Sequence, residues 1–345
     1  DRRLCWLSTS SATPPFGMDD VNCFSVDDVL LYQPLVFDFG PVDLGKTHWF
    51  VRKLHKMMSD AAMTKKTVIL YCSASDEKRA NAAYLVCAYM VVMRGILPEA
   101  AFEPFEQACI AFTPFRDASP TPESSFPLSV LDCLRGLQAG VHHGWYNRKT
   151  FDLSEYARQQ MPENGDMSWI VPDHLIAFSS PRDTSASDQD PQFASPLQLV
   201  PIFKSVGVRT VVRLNSPEYD ADDFIRNGIE HFDLWFEDQS VPSLQVVACF
   251  LHVVMNSSGV IAVHCSSGLG RTGTLLGLFC MMRYRITAVE FIAWARLCRP
   301  GSVIGLQQQY LCDMEEVMFR ARTITSVSEF CIEQERSGAA RQLNN

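Results

Sequence analysis

Two stretches of the chain share one pattern of apolar and polar positions: a short apolar run, a cysteine, a polar loop and a long apolar run. The first spans residues 67–93 and contains Cys72, and the second spans residues 260–284 and contains Cys265. A short run rich in β-branched residues predicts a buried strand, and an apolar run of more than about ten residues predicts a buried helix. The pattern therefore predicts a strand, loop and helix unit in each half of the chain.

The rest of the chain continues this alternation. Residues 169–177 read as an extended segment, and the following runs predict strands at 210–214, 231–236 and 260–264 and helices at 197–205, 219–227, 242–255, 272–284, 287–298 and 306–322. In the first half we expect helices near 49–58, 79–93 and 129–137, with Gln138-Ala139-Gly140 ending the third. Strands that alternate with helices predict an α/β fold, in which helices pack on a mostly parallel sheet.

The same pattern suggests where the domains begin and end. We expect a first α/β domain at 1–141, a linker at 142–168, a second α/β domain at 169–325 and a polar tail at 326–345. The linker contains a short helical stretch and the turn sequence P-E-N-G-D. The tail has too few apolar residues to build a core, so we expect it to be disordered.

Composition excludes several classes of function. Of the 345 residues, 47% are hydrophobic and 20% are charged, which is typical of a soluble globular protein. A net charge of -9 without a basic stripe argues against a nucleic-acid partner and favours basic peptides. No apolar run is long enough to span a bilayer, and the start at Asp1 carries no signal-peptide pattern.

The cysteines indicate reduced thiols rather than a disulfide framework. All twelve are scattered, many of them inside apolar helical runs, with no C-x-x-C pair and no Cys/His spacing of a metal site. We therefore expect an intracellular protein that uses no metal and no cofactor.

The loop that follows the second strand carries the candidate chemistry. Five residues, two of them glycine, separate Cys265 from Arg271, so the backbone N–H groups can turn inward and bind an anion at the start of a helix. The same N–H groups would stabilise a thiolate, which makes Cys265 a nucleophile at neutral pH. Arg271 can bind two phosphoryl oxygens, and Thr272 can donate its hydroxyl proton to the sulfur as it leaves. The predicted phosphate-binding residues are Ser266, Ser267, Gly268, Leu269, Gly270 and Arg271.

The residues of this loop also bear on two other interpretations, a structural thiol and a nucleotide-binding loop. A lone cysteine is more often a buried structural thiol, but the combined pattern H-C-x-x-x-x-x-R-T between a strand and a helix makes that interpretation improbable here. A glycine-rich loop of the nucleotide-binding kind requires a lysine after its last glycine, and Arg271 follows Gly270 instead.

The run A-V-H-C-S-S-G-L-G-R-T-G-T-L resembles the signature of cysteine-dependent phosphatases, and with its flanking stretches it resembles the Cdc14 family of dual-specificity phosphatases. This resemblance covers about residues 22–322 and implies two tandem phosphatase-like domains. The segment F-E-D-Q-S-V-P is similar to the family's F-x-D-G-S-x-P, which makes Asp238 the general acid, with Glu237 as the fallback. Gln239 replaces the family glycine, and a positive φ there would strain the loop.

A second motif and an acidic groove also follow from the resemblance. The run R-P-G-S-V-I-G-L-Q-Q is similar to the family's R-P-G-S-x-I-G-P-Q-Q, so Gln307 would orient the attacking water, with Gln308 as a helper. Glu163 and Asp166 would hold a basic residue of the substrate. Ala157 and Gln160 replace family glutamates, which weakens that preference, and Ser266 and Ser267 replace the usual Lys and Ala.

The first half lacks the features of the catalytic loop. Six residues, none of them glycine, separate Cys72 from Arg79, and Asp76 and Glu77 would repel a phosphate. We interpret the first domain as a degenerate copy without catalysis, with a scaffold or substrate-groove role, and the resemblance implies the same.

The resemblance implies a protein phosphatase that acts on phosphoserine or phosphothreonine, preferably followed by proline, and on phosphotyrosine. Its partners would be proteins phosphorylated at sites of the cyclin-dependent kinase type, and a homodimer is compatible with it. The implied setting is cell division or the cilium, in the nucleus, cytoplasm, spindle pole or centrosome. A phosphopeptide-binding pseudophosphatase is the alternative, whereas inositol-lipid phosphatases carry lysines inside the loop that this chain lacks.

Overall fold

A computed structural model describes residues 3–10, 21–36, 38–119, 126–183 and 194–321. The chain forms two compact units. The first comprises Asp1–Leu153 with Arg296–Pro300, and the second comprises Ser154–Ala295 with Gly301–Asn345. The polar tail predicted for 326–345 lies outside the described residues.

The first unit contains a small parallel sheet covered by helices. Its strands are β1 (Leu4–Thr9), β2 (Val21–Phe24) and β3 (Thr67–Ser73), in the spatial order β1-β3-β2. Its helices are α1 (Leu44–Thr64), α2 (Asp76–Arg94), α3 (Pro98–Gln107) and α4 (Val130–His142). Side chains cap two of these helices: Asp43 accepts from Lys46 N–H at the start of α1, and Ser129 forms a capping box with Asp132 at the start of α4.

The second unit contains a five-stranded sheet in the spatial order β4-β5-β8-β6-β7. Its strands are β4 (Ser168–Val171), β5 (Leu175–Phe178), β6 (Val208–Arg213), β7 (Glu230–Asp233) and β8 (Val260–His264). Only the β4–β5 pair is antiparallel among these neighbours. Its helices are α6 (Pro196–Ser205), α7 (Asp222–Ile225), α8 (Leu244–Asn256), α9 (Gly270–Tyr284), α10 (Ala288–Cys298) and α11 (Leu306–Ala321), and α5 (Leu153–Gln159) lies where the two units meet in sequence.

The central strand of this sheet explains the apolar run in the sequence. All five residues of β8 are buried, because β5 and β6 flank it and helices cover the sheet. One face of the sheet joins a core formed by Ile176, Phe178, Val208, Val211, Ala262, Leu199, Phe203 and Phe224. The fold therefore holds the carboxyl end of β8, where Cys265 follows, in a rigid and dry setting.

The α/β class with mostly parallel sheets is confirmed, and several details of the sequence prediction are wrong. The extended segment at 169–177 is two antiparallel strands joined by a turn. Helix α4 ends at His142 and not at Gly140, because buried packing overrides the low helix propensity of glycine. Helix α7 has one turn instead of the nine residues expected at 219–227. Strands β1 and β2 were not predicted at all.

None of the helices in the described ranges is long and apolar enough to cross a membrane.

Candidate active site

Cys265 lies in a tight turn between the central strand and a buried helix. Strand β8 ends at His264 and α9 begins at Gly270, so five residues make the turn. The Cys265 side chain is 2% exposed, and Ser266 and Ser267 are exposed at the rim. The sequence prediction of a strand-to-helix turn at this position agrees with the structure.

Four consecutive carbonyl oxygens at the start of this turn, from His264 to Ser267, lie near hydrogen-bond donors. These are, in order, Leu214 N–H at 2.9 Å, His264 Nδ1 at 3.0 Å, Ser180 N–H at 2.9 Å and Ser179 Oγ at 3.3 Å. In a trans peptide the C=O and the next N–H point in opposite directions, so the N–H groups of residues 266–268 point away from His264 Nδ1, Ser180 and Ser179. Cys265 N–H instead points toward β5, because His264 O is directed at the segment after β6. The N–H groups of residues 266–268 are the ones available for the anion-binding nest that the sequence predicts.

Glycines allow the cysteine turn and the start of α9 to pack closely against the segment that precedes and begins α11. Gly268 has φ +67°, which favours glycine. A Cβ at Gly270 would lie 2.8 Å from Gln307 Oε1, and a Cβ at Gly273 would lie 2.9 Å from Val303 Cγ2. The loop therefore needs small residues where α11 and the segment before it approach.

Arg271 is held across the turn by backbone oxygens. Its side chain is buried, and NH1 donates to Phe236 O at 3.1 Å and to Leu214 O at 3.4 Å. Its Nε lies 3.2 Å from Asp238 Oδ1, an ion contact outside hydrogen-bond geometry. The structure thus brings together the predicted phosphate ligand and the predicted general acid, whose side chain is 65% exposed.

Gln307 links the start of α11 to the segment that carries Asp238. Gln307 is buried, its Nε2 donates to Ser240 O at 2.9 Å, and its Oε1 accepts from Ile304 N–H at 3.3 Å. Tyr310 donates to Pro242 O at 3.2 Å in the same region. The predicted water-orienting residue therefore lies between the acid segment and Gly270.

Thr272 supplies a buried hydroxyl with no assigned partner. Its side chain is fully buried, and Oγ1 has no hydrogen-bond partner within the described part of the chain. An unsatisfied buried hydroxyl costs about 1–3 kcal/mol, so its position at the start of α9 fits a group kept for the reaction. Thr272 does not hydrogen-bond the Cys265 sulfur in this structure, and its donation to sulfur stays a prediction.

The structure separates the predicted groove residues. Asp166 adopts φ +47° and accepts from Ser179 Oγ at 2.6 Å, and Ser179 also contacts Ser267 O, so Asp166 lies beside the loop. Glu163 is exposed in a short turn at Pro162–Asn164. Gln308 is buried, and its Nε2 donates to Gly305 O at 3.2 Å, so its proposed role at a substrate groove stays a prediction.

His264 was missed as a site residue by the sequence reasoning. It is fully buried, and its ring contacts both the Cys265 carbonyl and Tyr219 Oη, the latter at 2.8 Å. Burial lowers the pKa of His264 to about 3, so the ring is neutral at physiological pH. In the sequence, only its position directly before Cys265 indicated that His264 belongs to the site.

Each half of the chain is similar to part of a known phosphatase family. A family profile described as "Dual specificity protein phosphatase, N-terminal half" matches residues 1–140, and one described as "Swiss Army Knife protein, DSP-PTPase phosphatase domain" matches residues 164–311. The chain is 42% identical to "Dual specificity protein phosphatase CDC14AB" of Danio rerio over 298 residues, which are 86% of this chain and 49% of that protein.

Two further relatives give the same result. Identity is 42% to "Dual specificity protein phosphatase CDC14A" of Homo sapiens, covering 86% of this chain and 50% of that protein. It is 37% to "Tyrosine-protein phosphatase CDC14 homolog" of Schizosaccharomyces pombe, covering 91% of this chain and 60% of that protein. The chain belongs to the Cdc14 family of dual-specificity phosphatases. It spans about half the length of the first two of these relatives.

Within this family fold, the strand, cysteine and helix of the first unit make different contacts. Ser73 N–H donates to Asp27 Oδ2 at 2.7 Å, and Lys78 Nζ lies 3.8 Å from the same oxygen. Arg79 contacts Asp76 and lies over the ring of Phe112. Burial, followed by the charge of Asp27, raises the pKa of Cys72 to about 12, so its thiol stays protonated.

Gln239 is the notable departure from the family motif. Its φ is +57°, in the left-handed region where the family motif has glycine. The strain anticipated from the sequence is therefore present in the segment between Asp238 and Ser240, where the left-handed backbone costs about 1–2 kcal/mol for a residue with a Cβ.

We predict that Gln239→Gly leaves the free energy of unfolding unchanged or raises it by up to about 1 kcal/mol, because relief of the left-handed strain exceeds the added entropy of the unfolded chain. The matched control is Gln309→Gly in α11, which should lower it by about 1 kcal/mol because that glutamine is helical and exposed. Urea denaturation measures both. Equal losses for the two variants would contradict a left-handed Gln239.

Proposed function

We propose that this protein is a cysteine-dependent dual-specificity protein phosphatase. It hydrolyses phosphoserine and phosphothreonine, preferably followed by proline, and phosphotyrosine. The observation that carries the proposal is the set of outward carbonyls of residues 265–267, which leaves the N–H groups of residues 266–268 available to an anion, with Arg271 anchored beside them. Such a site binds a phosphoryl group and stabilises a thiolate.

The reaction takes place in two displacements at phosphorus. In the first, Cys265 Sγ forms a bond to phosphorus while the bond to the ester oxygen breaks, and Asp238 protonates that oxygen as it leaves. In the second, Gln307 orients a water that attacks phosphorus and Asp238 accepts its proton. The S–P bond breaks with its electron pair left on the sulfur as a thiolate, to which the Thr272 hydroxyl donates a hydrogen bond. The N–H groups and Arg271 bind the phosphoryl oxygens throughout.

The contact between Arg271 and Asp238 is consistent with these two reaction steps. In the free protein, the guanidinium and the carboxylate lie 3.2 Å apart at Nε and Oδ1. A phosphate monoester dianion takes the donors of Arg271, and its negative charge then faces the carboxyl group of Asp238. A nearby negative charge favours the protonated carboxyl group, which is the form that a general acid requires.

Acidic groups near the loop support a preference for substrates with a basic residue. Asp166 lies beside the rim through Ser179, and the chain has a net charge of -9. Ala157 and Gln160 reduce the negative charge of the linker helix relative to its family, so this preference is moderate. We extend the proposal to sites of the cyclin-dependent kinase type and to a role in cell division or ciliary regulation, with a homodimer compatible with both.

We predict that Cys265→Ser abolishes phosphate release from a phosphoserine-proline peptide, because the hydroxyl cannot replace the thiolate as nucleophile. Malachite-green detection measures the release, and p-nitrophenyl phosphate gives a second assay. The matched control is Cys72→Ser, which changes the other cysteine that follows a strand and should retain full activity. A wild-type protein that binds the peptide but releases no phosphate would support the pseudophosphatase alternative instead.

We predict that Asp238→Ala affects poor leaving groups most. The rate for phosphoserine peptide should fall by about 10²–10³-fold, whereas the rate for an aryl phosphate with an acidic leaving group should fall by less than about tenfold. Steady-state kinetics with both substrates measures the difference. Glu237→Ala is the control and should change neither rate; a selective loss with Glu237→Ala would move the acid role to that residue.

We predict that Asp166→Asn reduces selectivity for a downstream lysine. With wild-type protein, a phosphoserine-proline peptide with lysine should have a kcat/KM about 3–10-fold above that of the alanine peptide, as expected for one partly exposed ion pair of about 1 kcal/mol. In the variant, the kcat/KM values for the lysine and alanine peptides should become similar because the KM for the lysine peptide rises. Unchanged selectivity would show that Asp166 does not contact the basic residue, and Glu163→Gln then tests the other predicted acid.

A further inference from the structure

A chain of hydrogen bonds continues from the cysteine turn into the core of the second unit. His264 Nδ1 lies 3.0 Å from Cys265 O, His264 Nε2 lies 2.8 Å from Tyr219 Oη, and Tyr219 Oη lies 2.8 Å from His231 Nε2. His264 and Tyr219 are buried, and His231 is partly buried. The chain therefore joins a residue at the edge of the sheet to the carbonyl group of the proposed nucleophile.

The donors and acceptors in this hydrogen-bond chain allow one direction of donation, from His231 toward the Cys265 carbonyl. A carbonyl oxygen only accepts, so His264 Nδ1 carries the proton and donates it to Cys265 O. The neutral ring then has a lone pair at Nε2, which accepts from the Tyr219 hydroxyl. Because that hydroxyl has one proton, its oxygen accepts from His231 Nε2–H. Burial raises the pKa of Tyr219, which keeps the hydroxyl protonated.

Neighbouring groups fix Tyr219 and His231 in place. Arg213 NH1 donates to Tyr219 O at 2.8 Å, and its guanidinium lies 4.6 Å from the centre of the Tyr219 ring. Arg213 also donates to both carboxylate oxygens of Asp233, at 2.6 and 3.0 Å. The ring of Phe224 stacks on His231 with an interplanar angle of 16°. The strand register places these residues side by side, since Arg213 pairs with His264 on one side and with Asp233 on the other.

The end of the chain matters because of what the Cys265 carbonyl controls. The carbonyls of His264 and Ser266 accept from backbone N–H groups of the fold, and that of Ser267 accepts from a serine hydroxyl. The carbonyl of Cys265 accepts from an imidazole that could rotate or change tautomer. Its direction sets the direction of Ser266 N–H, one of the donors to the phosphoryl oxygens.

We propose that Tyr219 and His231 are positioning residues for phosphoryl transfer, which hold His264 in the tautomer that turns the Cys265 carbonyl outward. This inference rests on the proposed function for its kinetic consequence, and the geometry of the thiolate site tests it independently. Neither residue touches the substrate. Without the chain, His264 is free to protonate Nε2, and Ser266 N–H no longer points into the nest.

The charged and titratable groups around His231 are Asp233 on its own strand β7, Arg213 on the neighbouring strand β6, and Tyr219 and His264 along the hydrogen-bond chain. Burial lowers the pKa of His231 to about 4, so its ring is neutral between pH 5 and 8. The contribution of His231 is therefore a donated N–H and not a charge. A glutamine, which offers an N–H at a similar distance from the backbone, can replace it.

The experiment compares Tyr219→Phe, His231→Leu, their double variant and His231→Gln. We expect Tyr219→Phe and His231→Leu each to lower kcat/KM for p-nitrophenyl phosphate about 5–20-fold, the effect of one lost hydrogen bond in a buried chain. The double variant should equal Tyr219→Phe because both changes break the same chain. His231→Gln should remain within about twofold of wild type, with an unchanged pH profile from pH 5 to 8.

A second measurement does not depend on turnover. Alkylation of Cys265 by iodoacetamide follows the thiolate, so Tyr219→Phe and His231→Leu should move the pH of half-maximal alkylation upward, and His231→Gln should not. Val208→Ala is the control for packing, since it removes buried methyl groups from the same core without removing a donor or a ring that contacts His231, and it should leave that pH unchanged. Thermal unfolding identifies variants that fail to fold.

The outcomes separate this inference from the proposed function. Folded Tyr219→Phe and His231→Leu variants with wild-type alkylation profiles would overturn the positioning role, as would additive losses in the double variant or no rescue by glutamine. If the wild-type protein hydrolysed no phosphate ester, the proposed function would fail, and the alkylation profiles would still decide whether the chain acts on Cys265.

Discussion

The proposed anion site depends on the planarity of three consecutive peptide groups, those that link residues 265 to 268. A trans peptide cannot point its carbonyl and its N–H to the same side, so a donor that fixes one carbonyl also fixes the next N–H. In this turn, the donors come from the segment after β6, from the segment after β5 and from His264. The hydrogen bonds that neighbouring segments donate to the loop therefore matter for the proposed anion site as much as the residues of the loop do.

This arrangement explains why the sheet order matters for the chemistry. The strands β5 and β6 flank β8, so the backbone that follows each of them meets the turn after β8 at the carboxyl edge of the sheet. Leu214, just beyond β6, donates its N–H to His264 O and accepts from Arg271 with its own carbonyl. One residue thus orients both the first peptide of the turn and the guanidinium.

The sequence predicted the elements that carry a strong signal. Strand β8 and helix α9 were found because burial on all sides makes their apolar runs continuous. The H-C-x-x-x-x-x-R-T pattern indicated Cys265 and Arg271, whereas Asp238 was indicated by the family resemblance, and the roles of all three stay predictions. Strands β1 and β2 were missed because their residues are mostly half-buried and include polar side chains, which weakens the alternation.

The positions of other side chains could not be predicted because tertiary contacts determine them. Tyr219 and His231 lie on separate segments, and only the register of β6, β7 and β8 brings them to His264. Gln308 follows Gln307 directly, but successive helical residues point in different directions, so one reaches Ser240 and the other turns onto Gly305. Spacing in a motif cannot distinguish these outcomes.

The two cysteines that follow parallel strands show what distinguishes a reactive thiol from a packed one. In the first unit, the N–H that follows Cys72 binds the carboxylate of Asp27, and the arginine that ends the loop contacts Asp76. The carboxylates of Asp27 and Asp76 thus already place negative charge where a phosphate would bind. The charge of Asp27 acts together with burial to raise the pKa of Cys72, which keeps its thiol protonated. In the second unit, the chain's own donors bind the carbonyl oxygens of residues 265–267, which leaves the N–H groups of residues 266–268 available to the proposed anion site. A cysteine after a strand is therefore not sufficient for this chemistry; the direction of the surrounding peptide groups decides it.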